Sequence, residues 1–155
     1  ITEGESAVRF VFLTLEDARG NVVARNDYCL AEVMDKHDWS KYRWWRTQLE
    51  SYADFSALDD LAPAEVVVSV SKESTERGAM PSVTIENKSD VVAFFVRMDI
   101  KYSNGEIFPA LWSDNLVTLQ PGETLTVNTG TMIIDGIDAE LVISGWNVAE
   151  QVIIL

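Results

Sequence analysis

The strongest constraint on the fold is a series of short apolar segments in the second half of the chain, each alternating with period two. The segment "EVVVSVSKES" places Val66, Val68 and Val70 on one face, and "PSVTIENKS" does the same with Val83 and Ile85. Alternation of this kind is typical of β-strands that bury one face and expose the other. We therefore expect the second half of the chain to be built from strands.

Turn residues separate the remaining segments of this half. "VVAFFVRMDIKYSNGEIF" predicts a strand, an Asn-Gly turn and a second strand, and "LVTLQPGETLTVNTG" predicts two short strands around Pro121-Gly122. "AELVISGWNV" and "EQVIIL" predict two more. Roughly seven short strands with turns every 8 to 12 residues favour an all-β fold, specifically an immunoglobulin-like (Ig-like) antiparallel β-sandwich over residues 65–155.

A β-hairpin is expected at the start of the chain. In "AVRFVFLTLEDARGNVVARNDYCL", an apolar run with Phe10, Phe12 and Thr14 on one side leads into a turn from Asp17 to Asn21 and then into a second strand. Two strands alone cannot bury a core, so we expect the hairpin to pack against the rest of the chain or a neighbouring domain. We assign residues 1–30 to the end of a preceding Ig-like domain.

A weak internal repeat supports that assignment. A shift of 85 residues places, without a gap, Phe10, Val11, Leu15, Gly20 and Val22 on Phe95, Val96, Ile100, Gly105 and Ile107. The match indicates either two related Ig-like domains or the general similarity of hairpins that turn on a glycine. The sequence leaves both interpretations open.

Residues 31–64 differ from both flanking regions. They are rich in aromatic and charged residues and show neither strict alternation nor a sustained helical stripe. We interpret the segment as a long ordered connection. Near its end, Ser56 is a candidate N-cap for one short helical turn that packs Leu58 and Leu61.

Charge and composition limit the classes of partner. Twelve Lys and Arg stand against 25 Asp and Glu, and the net charge of -13 repels phosphate backbones and anionic membranes. The apolar runs are shorter than the ~20 residues of a membrane helix, and the N-terminus lacks a signal-peptide pattern. We expect a soluble chain without nucleic acid or membrane partners. It starts without Met, which suggests a mature chain or an excised fragment.

Residues able to carry catalysis or bind a metal are scarce. His37, the sole histidine, lies in the polar stretch "MDKHDWS", where a solvated side chain is favoured over a catalytic base. No second histidine or thiolate accompanies it, and Cys29 is expected to pack as a small apolar side chain, so we expect neither a metal nor a cofactor. Asp135 and Asp138 are interpreted as an acidic turn rather than a catalytic pair. Asn87 begins a formal glycosylation sequon.

Tryptophans and one polar corner supply the candidate contacts. Indoles fill cores and also stack on sugar rings. Trp44 and Trp45 cannot both point inward on an extended segment, so an exposed partner surface is expected there. In "LWSDN", Asp114 and Asn115 have side chains that hydrogen-bond backbone at bends, which favours a corner over a ligand site. The candidate carbohydrate or interdomain contacts are Trp112, Asp114, Asn115, Trp146, Trp44 and Trp45.

Several of these segments resemble one known family. "FFVRMDIKYSNGEIFPALWSDNLVTLQPGETLTV" followed by "ISGWNV" resembles the C-terminal Ig-like domain of family 2 exo-β-D-glucosaminidases, relatives of the β-mannosidases and β-galactosidases. "DARGNVVARNDYCL" and "YADFSALDDL" are similar to the end of the preceding Ig-like domain and to the connection between the two. The family tends to have an aromatic residue at Asp27 and a tryptophan at Cys29, and these departures concern the substrate subgroup.

The resemblance implies that the chemistry lies outside this chain. In the family, the catalytic acid and the nucleophile lie on a (β/α)8 barrel, which needs about 250 residues, so no catalytic residue can be assigned here. The implied function is a non-catalytic accessory module of a multidomain, exported retaining glycosidase that acts on chitosan-like oligosaccharides, with the catalytic barrel and other domains as partners. The alternatives are a carbohydrate-binding module that uses Trp112 or Trp44-Trp45, and a stand-alone adhesin or receptor domain, which rests on fold analogy alone.

Overall fold

The computed structural model describes residues 7–76, 78–102, 105–106, 110–134, 136 and 138–155. The chain divides into two units, Ile1–Leu61 and Ala62–Leu155. In the described residues the regular elements are β-strands, apart from one short 3-10 helix, which confirms the all-β prediction. No helix among these residues is long and apolar enough to cross a membrane.

The first unit begins with the expected hairpin. Strands β1 (Val8–Glu16) and β2 (Val22–Ala31) pair antiparallel. The carboxylate of Asp17 organises the turn, since its Oδ1 accepts hydrogen bonds from the backbone N–H groups of Arg19 (2.8 Å) and Asn21 (2.9 Å). Together with a bond from the Asn21 side chain, which is the largest cause, these bonds lower the pKa of Asp17.

A second hairpin lies inside the segment interpreted as a connection. Strands β3 (Lys36–Arg43) and β4 (Arg46–Ser51) pair antiparallel, and Arg43 stands opposite Arg46. Trp44 and Trp45 are therefore the two residues of the turn. Most side chains of β3 are exposed on both faces, which explains why its sequence carries no alternation to predict a strand.

The short helical turn occurs where it was expected, but its cap differs. The 3-10 helix spans Ser56–Asp60 and buries Leu58, whereas Leu61 is half-buried. The prediction of Ser56 as the N-cap is wrong, because the N-cap position is Phe55 and no side chain caps the helix from there. Instead, Asp54 Oδ1 accepts the backbone N–H of Ser56 at 2.9 Å, and this bond is the largest cause of the lowered pKa of Asp54.

The second unit forms the predicted antiparallel sandwich. Its described residues form nine strands: β5 (Val66–Thr75), β6 (Gly78–Asn87), β7 (Ala93–Tyr102), β8 (Gly105–Glu106), β9 (Val117–Leu119), β10 (Thr124–Asn128), β11 (Ile133–Ile134), β12 (Ala139–Ser144) and β13 (Gln151–Ile154). In one sheet, β6 pairs with β5 on one side and with β10 and then β11 on the other. In the second sheet, β7 lies between β12 and the short strands β8 and β9, and β13 forms the edge beside β12.

Alternating apolar side chains from both sheets form the core. Val83 and Ile85 are completely buried, as their spacing predicted, and Val68 and Val70 pack against the same cluster. The second sheet contributes the apolar residues Val96, Met98, Ile100, Leu141 and Ile143, each at 1% exposure or less. Burying such side chains contributes about 1.5–3 kcal/mol each, so this interface is the main source of stability in the unit.

The central strand β6 contains a proline, which normally weakens a ladder because it has no N–H. The carbonyl of Pro81 accepts a hydrogen bond from Thr129 N at 3.1 Å, so the polar edge of this residue faces the β10 side. On that side β10 ends at Asn128 and β11 begins at Ile133. Pro81 therefore lacks its N–H at a position between the end of β10 and the start of β11, where no strand residue needs a hydrogen bond from it.

Candidate interdomain and carbohydrate contacts

The "LWSDN" corner lies between β8 and β9, and Trp112 is its second residue. Its indole is half-buried and packs against the hydrophobic core, while its backbone forms an isolated bridge with Thr129. Asp114 is exposed, and its Oδ1 accepts the backbone N–H of Asn115 at 2.8 Å. The indole of Trp112 therefore serves core packing, and the carboxylate of Asp114 holds a bend.

Asn115 acts as a substitute for a strand residue. Its Oδ1 accepts hydrogen bonds from Met98 N (2.9 Å) and Leu116 N (2.8 Å), and its Nδ2 donates to Met98 O at 2.9 Å. The sequence predicted bonds to the local backbone at a bend, and the structure adds a pair of bonds to the distant strand β7. Because the oxygen and the nitrogen of this amide both bond to the backbone of Met98, the side chain joins the corner to strand β7.

Trp146 belongs to an aromatic patch on the sandwich. Its indole is 54% exposed and lies 6.2 Å, centroid to centroid, from the ring of Phe94, which stacks on Phe95 at 4.2 Å. Phe95 is 46% exposed and has a positive φ of 50°, at the irregularity where β7 pairs with β9. We call Phe94, Phe95 and Trp146 the Trp146 patch.

Asn147, which sequence reasoning did not single out, fixes this patch. Its Oδ1 accepts the Phe94 N–H at 2.9 Å, and its Nδ2 donates to the carbonyls of Ala62 and Val92, each at 2.8 Å. Gly145 allows the close approach, since a Cβ there would lie 3.0 Å from Phe94 O. The signal that could have identified Asn147 is its position between the apolar strands β12 and β13, since an amide that is buried there must find hydrogen-bond partners.

Trp44 and Trp45 are both exposed, although sequence reasoning required this of only one of them. Their exposed fractions are 82% and 66%, and the two rings meet edge to face with centroids 5.1 Å apart. A cleft of about 280 Å³ beside them is lined by Lys41, Arg43, Trp45, Arg46 and Gln48. This end of the hairpin, residues 41–48, is called the hairpin tip below.

His37 lies on β3 in an exposed position and stacks on Trp39, with ring centroids 5.4 Å apart. Nearby, Asp38 Oδ1 accepts the Ser40 hydroxyl at 2.6 Å, and Asp38 Oδ2 lies 2.8 Å from Lys41 Nζ. The Lys41 bond is the largest cause that lowers the pKa of Asp38 to about 2. Across the described ranges, no three His, Cys, Asp or Glu side chains are grouped so that they could hold a metal ion.

Two carboxylates among the described residues of the second unit share one cleft with a lysine. Asp138 and Glu140 line an open cleft of about 590 Å³ together with Lys101 and Tyr102, and Lys101 stands opposite Glu140 across the two strands. Asp135, the proposed turn partner of Asp138, lies outside the described residues. A glycosidase general acid needs a raised pKa, and among the described residues the pKa values of Asp17, Asp38 and Asp54, all in the first unit, are lowered.

Asp27 and Cys29, the two positions at which the resemblance implied a departure from the family pattern, lie on one face of the first hairpin. Asp27 stands opposite Phe12, and Cys29 stands opposite Phe10. Asp27 also approaches Arg25, with 3.8 Å between the charged atoms. Burial raises the pKa of the Cys29 thiol, so at neutral pH it stays protonated beside the aromatic ring.

The glycosylation sequon at Asn87 is closed in the folded unit. The side chain has no exposed surface, and its Nδ2 lies 2.8 Å from Val91 O, 3.1 Å from Leu119 O and 3.1 Å from Gln120 O. Its Oδ1 accepts the Ser89 N–H at 3.0 Å. Asn87 therefore joins the end of β6 to the turn after β9, and a glycan cannot be accommodated there.

The matching family model and the individual relatives carry the same family description. Residues 44–148 match the model described as the exo-β-D-glucosaminidase Ig-fold domain. An exo-β-D-glucosaminidase of Hypocrea jecorina is 37% identical over 148 residues, which cover 92% of this chain and 16% of the relative. An exo-β-D-glucosaminidase of Streptomyces avermitilis is 35% identical over 97% of this chain and 17% of the relative.

A solved structure agrees with the sequence relatives. The crystal structure of Amycolatopsis orientalis exo-chitosanase CsxA matches with a TM-score of 0.85 at 30% identity, over 97% of this chain and 18% of that one. This chain thus spans about a sixth of the length of the curated relatives that it matches.

Proposed function

Because the chain belongs to the family of exo-β-D-glucosaminidase Ig-fold domains, we propose that it is a non-catalytic accessory module within a longer, exported retaining glycosidase. In this proposal the catalytic barrel lies elsewhere in the polypeptide and hydrolyses chitosan-like β-linked oligosaccharides. The module packs against the barrel and neighbouring domains and stabilises them.

The observation that carries the proposal is the small share of each relative that the chain matches. At about 16% of a relative's length, the aligned region leaves most of such a protein for other domains. A (β/α)8 barrel alone requires about 250 residues, which exceeds this chain of 155. The catalytic apparatus of a parent enzyme would therefore have to lie outside the matched region.

Exposed apolar surface on the first hairpin supports a packing role. Leu13 and Leu15 on β1 and Val22 and Val23 on β2 are all exposed. A two-stranded sheet is at best marginally stable by itself in water, and exposed apolar groups of this kind mark protein interfaces. A neighbouring domain that covered them would stabilise the hairpin and the parent together.

Hydrolysis of a chromogenic β-D-glucosaminide tests the proposal. The chain and the longer protein that contains it are assayed side by side at equal molar concentration. We expect turnover by the longer protein and none above background by the chain. Turnover by the chain, abolished in it by Asp138→Asn or Glu140→Gln, would overturn the proposal.

A second candidate function is carbohydrate binding at the Trp146 patch. An exposed aromatic residue held at positive φ costs about 1–3 kcal/mol, and such strain is most often retained at functional positions. Phe95 meets that description, and its ring lies beside the exposed indole of Trp146 through their shared neighbour Phe94. Two ring faces of this kind could stack on successive sugar residues.

Titration with glucosamine oligomers distinguishes the two candidates. If the patch binds sugar, millimolar ligand shifts the indole N–H signal of Trp146 and the backbone amide signals of Phe94 and Phe95. Trp146→Ala then abolishes the shifts at Phe94 and Phe95, while Trp44→Ala preserves them. If millimolar ligand changes no signal, the carbohydrate-binding candidate is rejected and the packing role remains.

A further inference from the structure

The hairpin tip carries a concentration of positive charge that contrasts with the rest of the chain. Within residues 41–46, "KYRWWR" contains Lys41, Arg43 and Arg46 and no acidic residue, in a chain whose net charge is -13. The tip also carries the exposed indoles of Trp44 and Trp45. Arginine and tryptophan are the residue types most enriched where protein interfaces concentrate their binding energy.

The carboxylates of this hairpin are already used by its lysines. Lys36 Nζ lies 2.8 Å from Glu50 Oε2, and Lys41 Nζ lies 2.8 Å from Asp38 Oδ2. Asp38 and Glu50 are the only acidic residues between positions 36 and 51. No carboxylate of the hairpin is therefore left for the two arginines.

Arg43 and Arg46 face each other, and no counter-charge accompanies them in the described part of the chain. They are direct partners across the β3–β4 pair, an arrangement that destabilises a sheet because like charges repel. Arg43 Nη1 donates to Tyr42 O at 2.9 Å, and neither guanidinium has an ion pair among the residues that the structure describes. The cleft beside them is lined by cationic, amide and indole groups without a carboxylate.

These features define the chemistry of an occupant. A carboxylate placed between the two guanidinium groups would accept charge-assisted hydrogen bonds from both and remove their repulsion. Glucosamine carries a positive amine at neutral pH, so this cationic cleft disfavours it. Anionic polymers and membranes are repelled by the negative charge of the chain as a whole.

We propose that the hairpin tip docks onto an acidic protein surface, which inserts an Asp or Glu side chain between Arg43 and Arg46 and covers Trp44 and Trp45. The identity of the partner rests on the proposed function: it is a neighbouring domain of the same longer polypeptide. The indoles supply the apolar area of the contact, and the arginines select an acidic partner and fix its register.

Hydrogen exchange, measured by mass spectrometry on the chain and on the longer protein, tests the proposal. We expect amides of residues 41–48 to exchange at least tenfold more slowly in the longer protein, and 1 M salt to weaken that protection. Arg43→Glu with Arg46→Glu should remove it, whereas Arg43→Lys with Arg46→Lys should retain most of it. Arg19→Glu, a single charge reversal in the exposed turn of the other hairpin, serves as the control for a local charge change and should leave protection unchanged.

Defined outcomes overturn the docking proposal. Equal exchange in the two proteins would show that the tip stays exposed, and protection that survives the double charge reversal would show that the arginines do not matter. Protection of the chain alone that disappears on dilution would assign the surface to a second copy. Protection of the chain by glucosamine oligomers would assign it to sugar.

The activity assay separates this inference from the function on which it rests. A longer protein that hydrolyses glucosaminides but leaves the tip exposed rejects the docking surface alone. A longer protein without that activity whose tip is protected in a charge-dependent way rejects the proposed activity and retains the docking surface.

Discussion

At the scale of single residues, Asn87 connects separate parts of the sandwich through its buried amide. Removing this group leaves the carbonyls of Leu119 and Gln120 and the N–H of Ser89 without that partner. An unsatisfied buried polar group costs roughly 1–3 kcal/mol.

We predict that Asn87→Ala lowers the free energy of unfolding of the second unit by about 2–4 kcal/mol. Denaturant unfolding of the chain, followed by tryptophan fluorescence, measures the change. Asn128→Ala is the control, because Asn128 is exposed and accepts one side-chain bond from Ser82. If Asn87→Ala lowered the free energy of unfolding by less than Asn128→Ala does, the Asn87 amide would not be what joins β6 to the turn after β9.

Asp38 gives a prediction about pH. Its folded-state pKa of about 2 lies below the ordinary value of 3.8, so its ionised form stabilises the folded hairpin. The stabilisation is fully present above about pH 4 and is lost as the pH falls through 2. A carboxyl NMR titration should give a midpoint near 2, and Lys41→Met should raise it. A midpoint near 3.8 in the unaltered chain would exclude the Lys41 bond in solution.

At the scale of elements, the sequence predicted those strands that bury one face. Val66, Val68 and Val70 turn toward the core as expected, and so do Val83 and Ile85. The same reasoning placed the hairpin of β1 and β2 and the two short strands around Pro121-Gly122. Alternation succeeds for β5 and β6 because the core buries one face of each, whereas the β1–β2 hairpin and the strands around Pro121-Gly122 were identified by their apolar runs and turn residues.

The hairpin of β3 and β4 could not be predicted from alternation, because neither face of β3 is consistently buried. Its turn also lacks the Asn-Gly or Gly signals of a tight hairpin and places two tryptophans there instead. The capping error had a different cause: Asp54 and Ser56 both suit a helix start, and only the backbone geometry distinguishes them. The bonds of Asn115 and Asn147 depend on distant strands, so local sequence does not reveal them.

The pairing of β6 with β11 gives a prediction at the same scale. Gly78 has a φ of 149°, and a Cβ there would lie 1.9 Å from the carbonyl oxygen of Ile133. Gly78→Ala must therefore separate the two strands, and we expect it to lower the free energy of unfolding by about 2–4 kcal/mol.

Gly20→Ala supplies the matched control, since Gly20 also has a positive φ but its Cβ would meet open space. The strain alone costs about 1–2 kcal/mol. Thermal or denaturant unfolding of both variants separates strain from collision. If the two substitutions cost the same, the collision with Ile133 does not occur in solution.

At the scale of the whole molecule, net charge and exposed apolar surface act against each other. The charge of -13 keeps copies apart at low salt, while the apolar residues of β1 and β2 favour association. The Debye length falls from about 10 Å at 0.1 M salt to about 3 Å at 1 M, so salt weakens the repulsion and leaves the apolar attraction.

We therefore predict that self-association of the isolated chain increases with salt. Sedimentation velocity at 0.05 M and 1 M sodium chloride measures it. Leu13→Ser with Leu15→Ser should reduce the association at high salt, because both side chains are exposed on β1. A larger associated fraction at low salt would indicate that contacts between opposite charges dominate instead.

Because the sequon at Asn87 is buried in the folded unit, the outcome depends on whether glycosylation or folding occurs first. Enzymes that attach N-linked glycans act on Asn-X-Ser/Thr in exposed, extended chain, and "NKS" satisfies them until β6 and the turn after β9 come together. In a eukaryotic secretory host, a glycan attached before folding would occupy the space in which the Asn87 amide bonds to backbone carbonyls in the folded unit. Ser89→Ala would remove the acceptor sequence, but it would also delete the hydroxyl that receives the Glu65 N–H. Expression in a bacterial host without N-linked glycosylation avoids both the glycan and the Ser89→Ala substitution, because the three residues then serve only the folded structure.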